Sequence, residues 1–146
     1  MANLEIEGLT LLLAKLESLG GNSDKALQSG VDKATRRVKR DAKLLCPVDT
    51  SRLRNSIQHK TTIQDGKIEG VVSTNVEYAP YVEFGTGQRG EQAQVFRPIG
   101  ISYRLDWAGQ PPVPFLFPAL VQNEDQIKKD IVNEVKKAIK EVCKGW

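Results

Sequence analysis

The sequence predicts an α+β fold, in which amphipathic helices pack on a small antiparallel β-sheet and a long extended loop leaves that layer. Three observations predict it. They are a helical stripe of apolar residues in the first third, two β-favouring runs around an Asp-Gly dipeptide, and a second helical stripe at the C-terminal end. The chain has 146 residues, of which 40% are hydrophobic. This content builds one core and would hardly fill two, so we expect a single domain over residues 1–146.

The first third predicts one short strand and two helices. Residues 4–7 alternate apolar and charged side chains, as a strand does, and the apolar run over residues 10–19 predicts a helix that ends at Gly20-Gly21. Asn22 is a good N-cap for a second helix, which ends before Pro47 because the residue preceding a proline avoids the helical region. The apolar positions of this second helix recur every three or four residues: Leu27, Val31, Ala34, Val38, Ala42 and Leu45.

The middle of the chain predicts a β-hairpin followed by a short helix. Residues 56–62 and 67–74 are extended, β-favouring runs, and Asp65-Gly66 between them is typical of a hairpin turn. A short helix or tight turn that starts at Pro80 would place Tyr81 and Phe84 on one face, because they lie three residues apart.

Residues 85–114 are the least regular part, with five of the chain's twelve glycines and four of its seven prolines. We expect an extended arm or loop there, since such long irregular segments are often functional. Its large apolar side chains would be costly to expose, so we expect them either to meet a neighbouring subunit or to fold back on their own core: Phe96, Tyr103, Leu105 and Trp107. Residues 118–144 predict one long C-terminal helix with a single apolar face.

The glycines of the arm spell G-x-G-x-x-G at Gly85, Gly87 and Gly90, which is the outline of a dinucleotide-binding loop. The context does not fit that function. Pro80 precedes the glycines where a central strand is needed, and Pro98 follows too soon for a crossover helix. We therefore expect no cofactor, and we interpret the glycines as sites of turns and backbone freedom.

Residues with catalytic chemistry are scarce, so we expect no enzyme and rank a small hydrolase last. His59 is the single histidine and no serine or cysteine nucleophile accompanies it in a known motif. Cys46 and Cys143 have no metal-binding spacing, and reduced thiols are expected for a cytosolic product. No apolar run reaches the roughly 18 residues of a membrane span, and no signal peptide is predicted.

Two carboxylates near the hairpin are expected to be structural. Asp49 would cap or bend the turn that leads into residues 52–54. Glu83 lies among aromatic residues and would pair with Arg52 or Arg54, which would hold this turn to the sheet.

Positive charge is concentrated in one region, although the formal net charge of the chain is only +3. Residues 24–60 hold ten Lys/Arg and four Asp/Glu, a local net charge of +6. The surplus fits the solvated face of a helix. It also supports an alternative function, a small basic nucleic-acid-binding domain that uses residues 33–43, although no aromatic residues alternate with these charges.

Three segments together resemble a family of tail components of tailed bacteriophages and prophages. CPVDTSRLRNSI, VEYAPYVEFGTG and PFLFPAL are similar to the family's "P-v-d-T-G-x-L", "Y-A-x-Y-v-E-f-G-T" and "P-F-l-x-P-A-l" elements, and Ser51 stands where the family usually has glycine. Their order and spacing match over nearly the whole chain. The positions that match the motifs are Pro47, Asp49, Thr50, Leu53, Tyr78, Ala79, Tyr81, Glu83, Phe84, Gly85, Thr86, Pro114, Phe115 and Pro118.

The resemblance implies a structural, non-enzymatic virion protein of the neck or tail, acting in head–tail joining or tail completion. It implies self-assembly into a ring, with six-fold symmetry as the expected form, around the channel through which DNA passes without sequence-specific binding. The implied partners are the connector or head-closure proteins on one side and the tail tube or tail terminator on the other. No membrane partner is implied.

Overall fold

The computed structural model describes residues 6–47, 51–92 and 103–144. Within these ranges the chain forms seven helices and a two-stranded antiparallel sheet, which confirms the α+β fold class. The elements are, in chain order, α1 (Leu9–Ser18), α2 (Ser23–Leu45), α3 (Ser51–Ser56), β1 (Gln58–Gln64), β2 (Lys67–Ser73), α4 (Ala79–Phe84), α5 (Gly87–Gln92), α6 (Leu116–Gln122) and α7 (Glu124–Lys144).

Helices α2 and α7 form the centre of the molecule. The side chain of Asn22 accepts a hydrogen bond from the backbone N–H of Lys25 at 3.1 Å, so the predicted N-cap of α2 is confirmed. The two helices approach closely at Gly30, where an added Cβ would lie 2.8 Å from the Cα of Ile131. The predicted stripe of α2 supplies Ala34, Val38 and Ala42 to the main core, whereas Leu45 at its end is exposed.

The hairpin lies across α2, and its turn is the one that the sequence predicts. Gln64 pairs with Lys67, which leaves Asp65 and Gly66 as a two-residue turn with φ of 52° and 74°. The first strand starts two residues later than expected, because residues 51–56 continue as helix α3 where we expected a turn. The residues that share the face toward α2 alternate along both strands: His59, Thr61, Ile63, Ile68, Gly70 and Val72.

A strand was expected over residues 4–7, and residues 6 and 7, the two that the structure describes, do not form one. Residues 4 and 5 lie outside the described ranges. Ile6 and Glu7 form no strand, and the carbonyl of Ile6 accepts a hydrogen bond from Leu9 as the chain turns into α1. Gly8, with a φ of 76°, lets the chain make that turn.

The predicted single C-terminal helix is divided at Asn123. The Asn123 side chain donates to the carbonyl of Ala119 at 2.7 Å and to Asp41 Oδ2 at 2.7 Å, and its own backbone carbonyl accepts from Ile127 at 2.7 Å. An asparagine that binds its neighbouring backbone competes with helix continuation, which is the physical reason for the break. As a result Leu120 is exposed, although it continues the apolar stripe of α7 in sequence.

The described ends of the predicted arm are not extended away from the subunit. Residues 87–92 form α5, and residues 103–113 run back along residues 82–90. Backbone hydrogen bonds join Thr86 to Gln110 in both directions, at 2.9 and 3.1 Å, and Val113 N–H to Val82 O at 2.8 Å. Glycine and proline indicated irregular backbone correctly, but they carried no information on what that backbone contacts. Residues 93–102 lie outside the described ranges.

We predict that Gly70 allows the hairpin to contact α2. An added Cβ would overlap Thr35 Oγ1 and would lie 3.0 Å from Val31 Cγ1. Gly70→Ala should therefore lower the free energy of unfolding by about 1–3 kcal/mol in a urea titration, as overpacking does. In a Thr35→Ala background, which removes the overlapping oxygen, the same change should cost about 1 kcal/mol or less. Equal costs in the two backgrounds would contradict this explanation.

Candidate functional site

The carboxylate of Glu83 joins two distant parts of the chain. Glu83 lies in the last turn of α4 and is 6% exposed. Its Oε2 accepts hydrogen bonds from the backbone N–H groups of Phe115 and Leu116 at 2.7 and 3.0 Å, and its Oε1 accepts one from Phe117 at 2.9 Å. These N–H groups belong to the start of α6, where a helix has no internal acceptors and favours negative charge. The second and third sequence motifs therefore meet at one side chain.

This arrangement corrects the expected pairing of Glu83 with an arginine of residues 52–54. Arg52 pairs instead with the exposed Glu77, at 3.1 Å between Nη2 and Oε2. The Arg52 guanidinium also lies 5.6 Å from the centroid of the Tyr78 ring. The partner of Glu83 is backbone, which sequence patterns cannot indicate because every residue except proline carries an N–H group.

The glycines of the G-x-G-x-x-G pattern permit a close crossing of two backbone runs. An added Cβ on Gly85 would lie 2.8 Å from Gln110 O, Gly90 Cα and Pro112 N, and one on Gly109 would overlap Thr86 O. Gly85, Gly87 and Gly109 also have φ of 76°, 58° and 69°, which L side chains rarely adopt. The pattern is therefore explained by packing of residues 85–90 against residues 107–112.

The remaining motif positions divide into core and surface. Leu53, Ala79 and Phe115 are buried in the main core. Tyr81 of α4 is 63% exposed. Phe84, which was expected on the same face as Tyr81, is half-buried. Asp49 and Thr50 lie outside the described residues. Pro114 is exposed, and four further positions are partly buried: Pro47, Tyr78, Thr86 and Pro118.

A groove of about 930 Å³ runs along β2 and was not predicted from the sequence. Its walls are residues 69–77 on one side and helices α2, α6 and α7 on the other, and most of its lining is apolar. Val71, Phe117 and Leu120 line it although each is at least 38% exposed. The charged side chains among its lining residues are all acidic: Glu69, Glu77 and Glu83. The one sequence signal that could have indicated it is Leu120, an apolar residue that the break at Asn123 separates from the α7 core face.

The four predicted interface residues have different environments. The Tyr103 hydroxyl donates to the carbonyl of Phe84 at 3.0 Å, so this side chain lies against its own subunit. Leu105 and Trp107 are 55% and 52% exposed. Phe96 lies outside the described residues. Leu105 and Trp107 therefore form an exposed apolar pair beside the glycine crossing.

The three arginines of α2 each form an ion pair with an acid of the same chain. Arg37 binds Asp130 of α7 through two hydrogen bonds of 2.9 and 3.2 Å, and Asp130 is 2% exposed. Arg36 pairs with Asp32 at 3.0 Å, and Arg40 pairs with Asp41 at 3.1 Å. Of these three arginines only Arg37 is held by a buried carboxylate, whereas Arg36 and Arg40 remain 67% and 61% exposed in their pairs.

Among the described residues, no group of three or more His, Cys, Asp and Glu side chains is arranged to hold a metal ion. A separate survey of the helices in the same ranges finds none that is long and apolar enough to cross a membrane.

We predict that Glu83 is required for stability. Glu83→Gln keeps the size of the side chain but leaves one acceptor oxygen for three backbone donors, so it should lower the free energy of unfolding by about 3 kcal/mol. Glu77→Gln is the matched control: that carboxylate is exposed, so its loss should change the free energy of unfolding far less. Urea unfolding at pH 7 measures both variants. Similar costs for the two would show that the carboxylate of Glu83 has no special role.

We also predict a pH dependence that arises from Asp130. Burial raises the pKa of Asp130, but the hydrogen bonds from Arg37 and Gln126 and the charges of Arg37 and Lys33 outweigh burial, so this pKa lies below its ordinary value. A depressed folded-state pKa gives stability that is present above the unfolded pKa of about 3.9 and is lost as pH falls below it. Asp130→Asn should therefore be less stable than wild type at pH 7, and the difference should shrink toward pH 3.

The control for this measurement is Glu141→Gln, an exposed position near the end of the same helix. Its free energy of unfolding should follow that of wild type between pH 7 and pH 3. A stability gap between Asp130→Asn and wild type that stays constant with pH would refute the assigned role of the ion pair.

Comparison with known proteins agrees with the first two motif segments; the third, residues 114–120, lies outside the matched region. A protein-family model described as "Bacteriophage HK97-gp10, putative tail-component" matches residues 12–85, just over half of the chain. The matched region runs from α1 through the hairpin to α4 and ends at Gly85, so it includes Glu83 and the acidic side of the groove. Neither the curated proteins nor the solved structures gave a match. The chain belongs to the HK97-gp10-like family of bacteriophage tail components.

Proposed function

We propose that the protein is a non-enzymatic structural component of the virion of a tailed phage or prophage, located in the neck or at the head-proximal end of the tail. In this proposal it is part of the head–tail connector or the tail-completion ring. The observation that carries the proposal is the family match over residues 12–85. The protein would be made in the cytoplasm of the bacterial host and incorporated during assembly.

The surface of the subunit supports a role in assembly. A ring requires that one face of a subunit meets a different face of the next subunit. Leu105 and Trp107 provide an exposed apolar pair, and the groove beside β2 provides a different apolar surface. Exposed apolar surface of this kind is typical of protein interfaces. The proposed ring, with six subunits as the expected number, would surround the DNA channel.

The proposed partners are the connector or head-closure proteins on one side and the tail tube or terminator proteins on the other. DNA would pass through the channel without being read. The ion pair of Arg37 with the buried Asp130 fits this role, because it uses one basic side chain of α2 to join α2 to α7 within the subunit.

The proposal is tested in a phage that encodes this chain. Deleting its gene should leave DNA-filled heads and free tails that fail to join, which electron microscopy of lysates would reveal, together with the loss of infectivity. Expression of the chain in trans should restore joined particles. Joined, infectious particles in the deletion strain would refute the proposed role.

We predict that the apolar pair contributes to self-assembly. Light scattering on a size-exclusion column, with negative-stain images of any large peak, should give an oligomer with a central hole for the wild-type chain. The double variant Leu105→Asp/Trp107→Asp should shift the mass toward the 16.2 kDa subunit, because it introduces charge at a surface that would be buried. The control is Leu11→Asp, which alters the most exposed apolar residue of α1, at 78%. Assembly that is equally affected by both changes would contradict a specific role of the pair.

A further inference from the structure

Helix α2 carries a row of cations on the side that faces away from the core. The helix has seven Lys or Arg residues and three Asp residues. Five of the cations, which we call the cationic stripe, fall within about 100° of one another around the helix axis: Lys25, Arg36, Lys39, Arg40 and Lys43. The core residues Ala34 and Val38 lie on the opposite side of the helix. At the usual rise per residue the stripe is about 27 Å long.

The charge of the stripe is available to a ligand. The Arg36 and Arg40 side chains are 67% and 61% exposed, although each forms an ion pair with an aspartate of the same helix. Such exposed pairs contribute little free energy, so sharing these guanidinium groups with a phosphate costs little. Lys25 is exposed, and Lys39 and Lys43 are partly buried. None of the three lysines forms an ion pair within the part of the chain that the structure describes.

A concave site of about 460 Å³ extends the stripe onto the hairpin. Lys25 of α2 and the exposed Lys60 of β1 both line it. Asp32 is the one carboxylate among its described lining residues. This carboxylate is already bound by Arg36 at 3.0 Å and by the Thr61 hydroxyl at 3.1 Å, so it leaves the charge of the two lysines uncompensated. Lys60 is therefore a sixth cation of the same surface.

The composition of this surface favours DNA over a protein as its partner. No large apolar side chain of α2 is exposed between Lys25 and Lys43, and the two exposed ones, Leu44 and Leu45, follow after the stripe. Protein interfaces have an apolar, often aromatic centre, whereas interfaces with DNA are more polar and much more positively charged. The stripe has the composition of the second kind.

The form of nucleic acid follows from the same helix. Proteins that hold single strands stack the bases on aromatic side chains, and α2 contains no aromatic residue. A straight row of cations about 27 Å long corresponds to roughly eight base pairs of duplex, at about 3.4 Å for each. Contacts to phosphates position a duplex and carry no sequence information. The expected ligand is thus the backbone of duplex DNA.

We propose that the cationic stripe of α2, together with Lys60, binds the phosphate backbone of duplex DNA irrespective of its sequence. The inference deepens the proposed function and rests on it, because the DNA in the channel is the duplex that this surface would meet. In a ring it directs α2 of each subunit toward the channel. The groove beside β2 and the apolar pair Leu105 and Trp107 are then left for contacts between proteins.

The test measures the binding of the full-length chain to a fluorescent duplex of about 20 base pairs by anisotropy, at about 50 to 200 mM KCl. Two duplexes of unrelated sequence should bind with the same Kd. The logarithm of the binding constant should fall with the logarithm of the salt concentration with a slope of about −4 or steeper, because each contacted phosphate contributes about −0.9. A preference of more than about tenfold for one sequence would overturn binding through the backbone alone.

The variant that tests the stripe is Lys25→Gln/Lys39→Gln/Lys43→Gln. It should weaken duplex binding at least about tenfold at about 100 mM KCl and flatten the salt slope by about three, one for each lost contact. These lysines have no ion pair to lose, so circular dichroism and the Tm should match wild type. Lys25→Gln alone, at an exposed position, should flatten the slope by about one. The charge-preserving variant Lys25→Arg/Lys39→Arg/Lys43→Arg should bind as wild type does.

The matched control changes the same amount of charge on another helix. Lys129, Lys136 and Lys140 are exposed on α7, and none has an ion pair in the described ranges. Lys129→Gln/Lys136→Gln/Lys140→Gln should keep the Kd of wild type within about twofold and leave the salt slope unchanged. If it weakens binding as much as the α2 variant does, binding follows net charge and the proposed site is wrong.

Poly-L-glutamate distinguishes DNA from the acidic surface of a protein. Unlabelled duplex should displace the fluorescent duplex at a lower concentration of negative charge than poly-L-glutamate does. Equal displacement by the two polymers would overturn the proposal, because the stripe would then recognise carboxylates as well as phosphates.

Failure of this inference is distinguishable from failure of the proposed function. Duplex binding that the α2 variant leaves unchanged overturns the assigned surface, and so does a wild-type chain that binds no duplex at about 100 µM, far above the usual Kd of non-specific binding. Neither result bears on head–tail joining, which the gene-deletion phenotype reports separately.

Discussion

The three hydrogen bonds that Glu83 accepts from the start of α6 are the constraint on which the rest of the arrangement depends. They fix α4, which follows the hairpin, to the polypeptide that leads into α7. Phe115, one of the donors, is also among the largest fully buried side chains of the core. The hydrogen bond and the apolar core therefore hold the same residue, one through its backbone and the other through its ring. Glu83 also lines the groove, so the position of the groove follows from the same contact.

The sequence was sufficient for the elements whose causes are local. The stripe of α2 has its period in the sequence, its N-cap at Asn22 is three residues from the donor, and Asp65-Gly66 contains the whole signal for its turn. The partner of Glu83 could not be predicted, because it is backbone more than 30 residues away. The break at Asn123 depends on Asp41, 82 residues earlier in the chain, and on the Ala119 carbonyl, so the apolar period of residues 118–144 gave no sign of it.

The sequence predicted the candidate site only in part, because many of its contacts join residues that are distant in the chain. The motif positions were identified from sequence, but their division into core, surface and backbone-binding residues is a property of the tertiary structure. Residues 85–114 were expected to be extended because composition alone cannot indicate that Thr86 and Gln110 are hydrogen-bonded. The groove arises where α2, α6, α7 and one strand edge leave a space between them, and no single segment encodes such a space.

The glycine crossing of residues 85–90 and 107–112 restricts how these two runs can change. Gly85, Gly87 and Gly109 have positive φ, and a Cβ on any of them would lie within 2.8 Å of backbone atoms of the opposite run. Backbone cannot rotate aside as the end of a side chain can, so a larger residue at one of these positions requires the opposite run to shift as well. The two runs can therefore vary in sequence only together at these points, whereas the exposed Leu105 and Trp107 between them are under no such restriction.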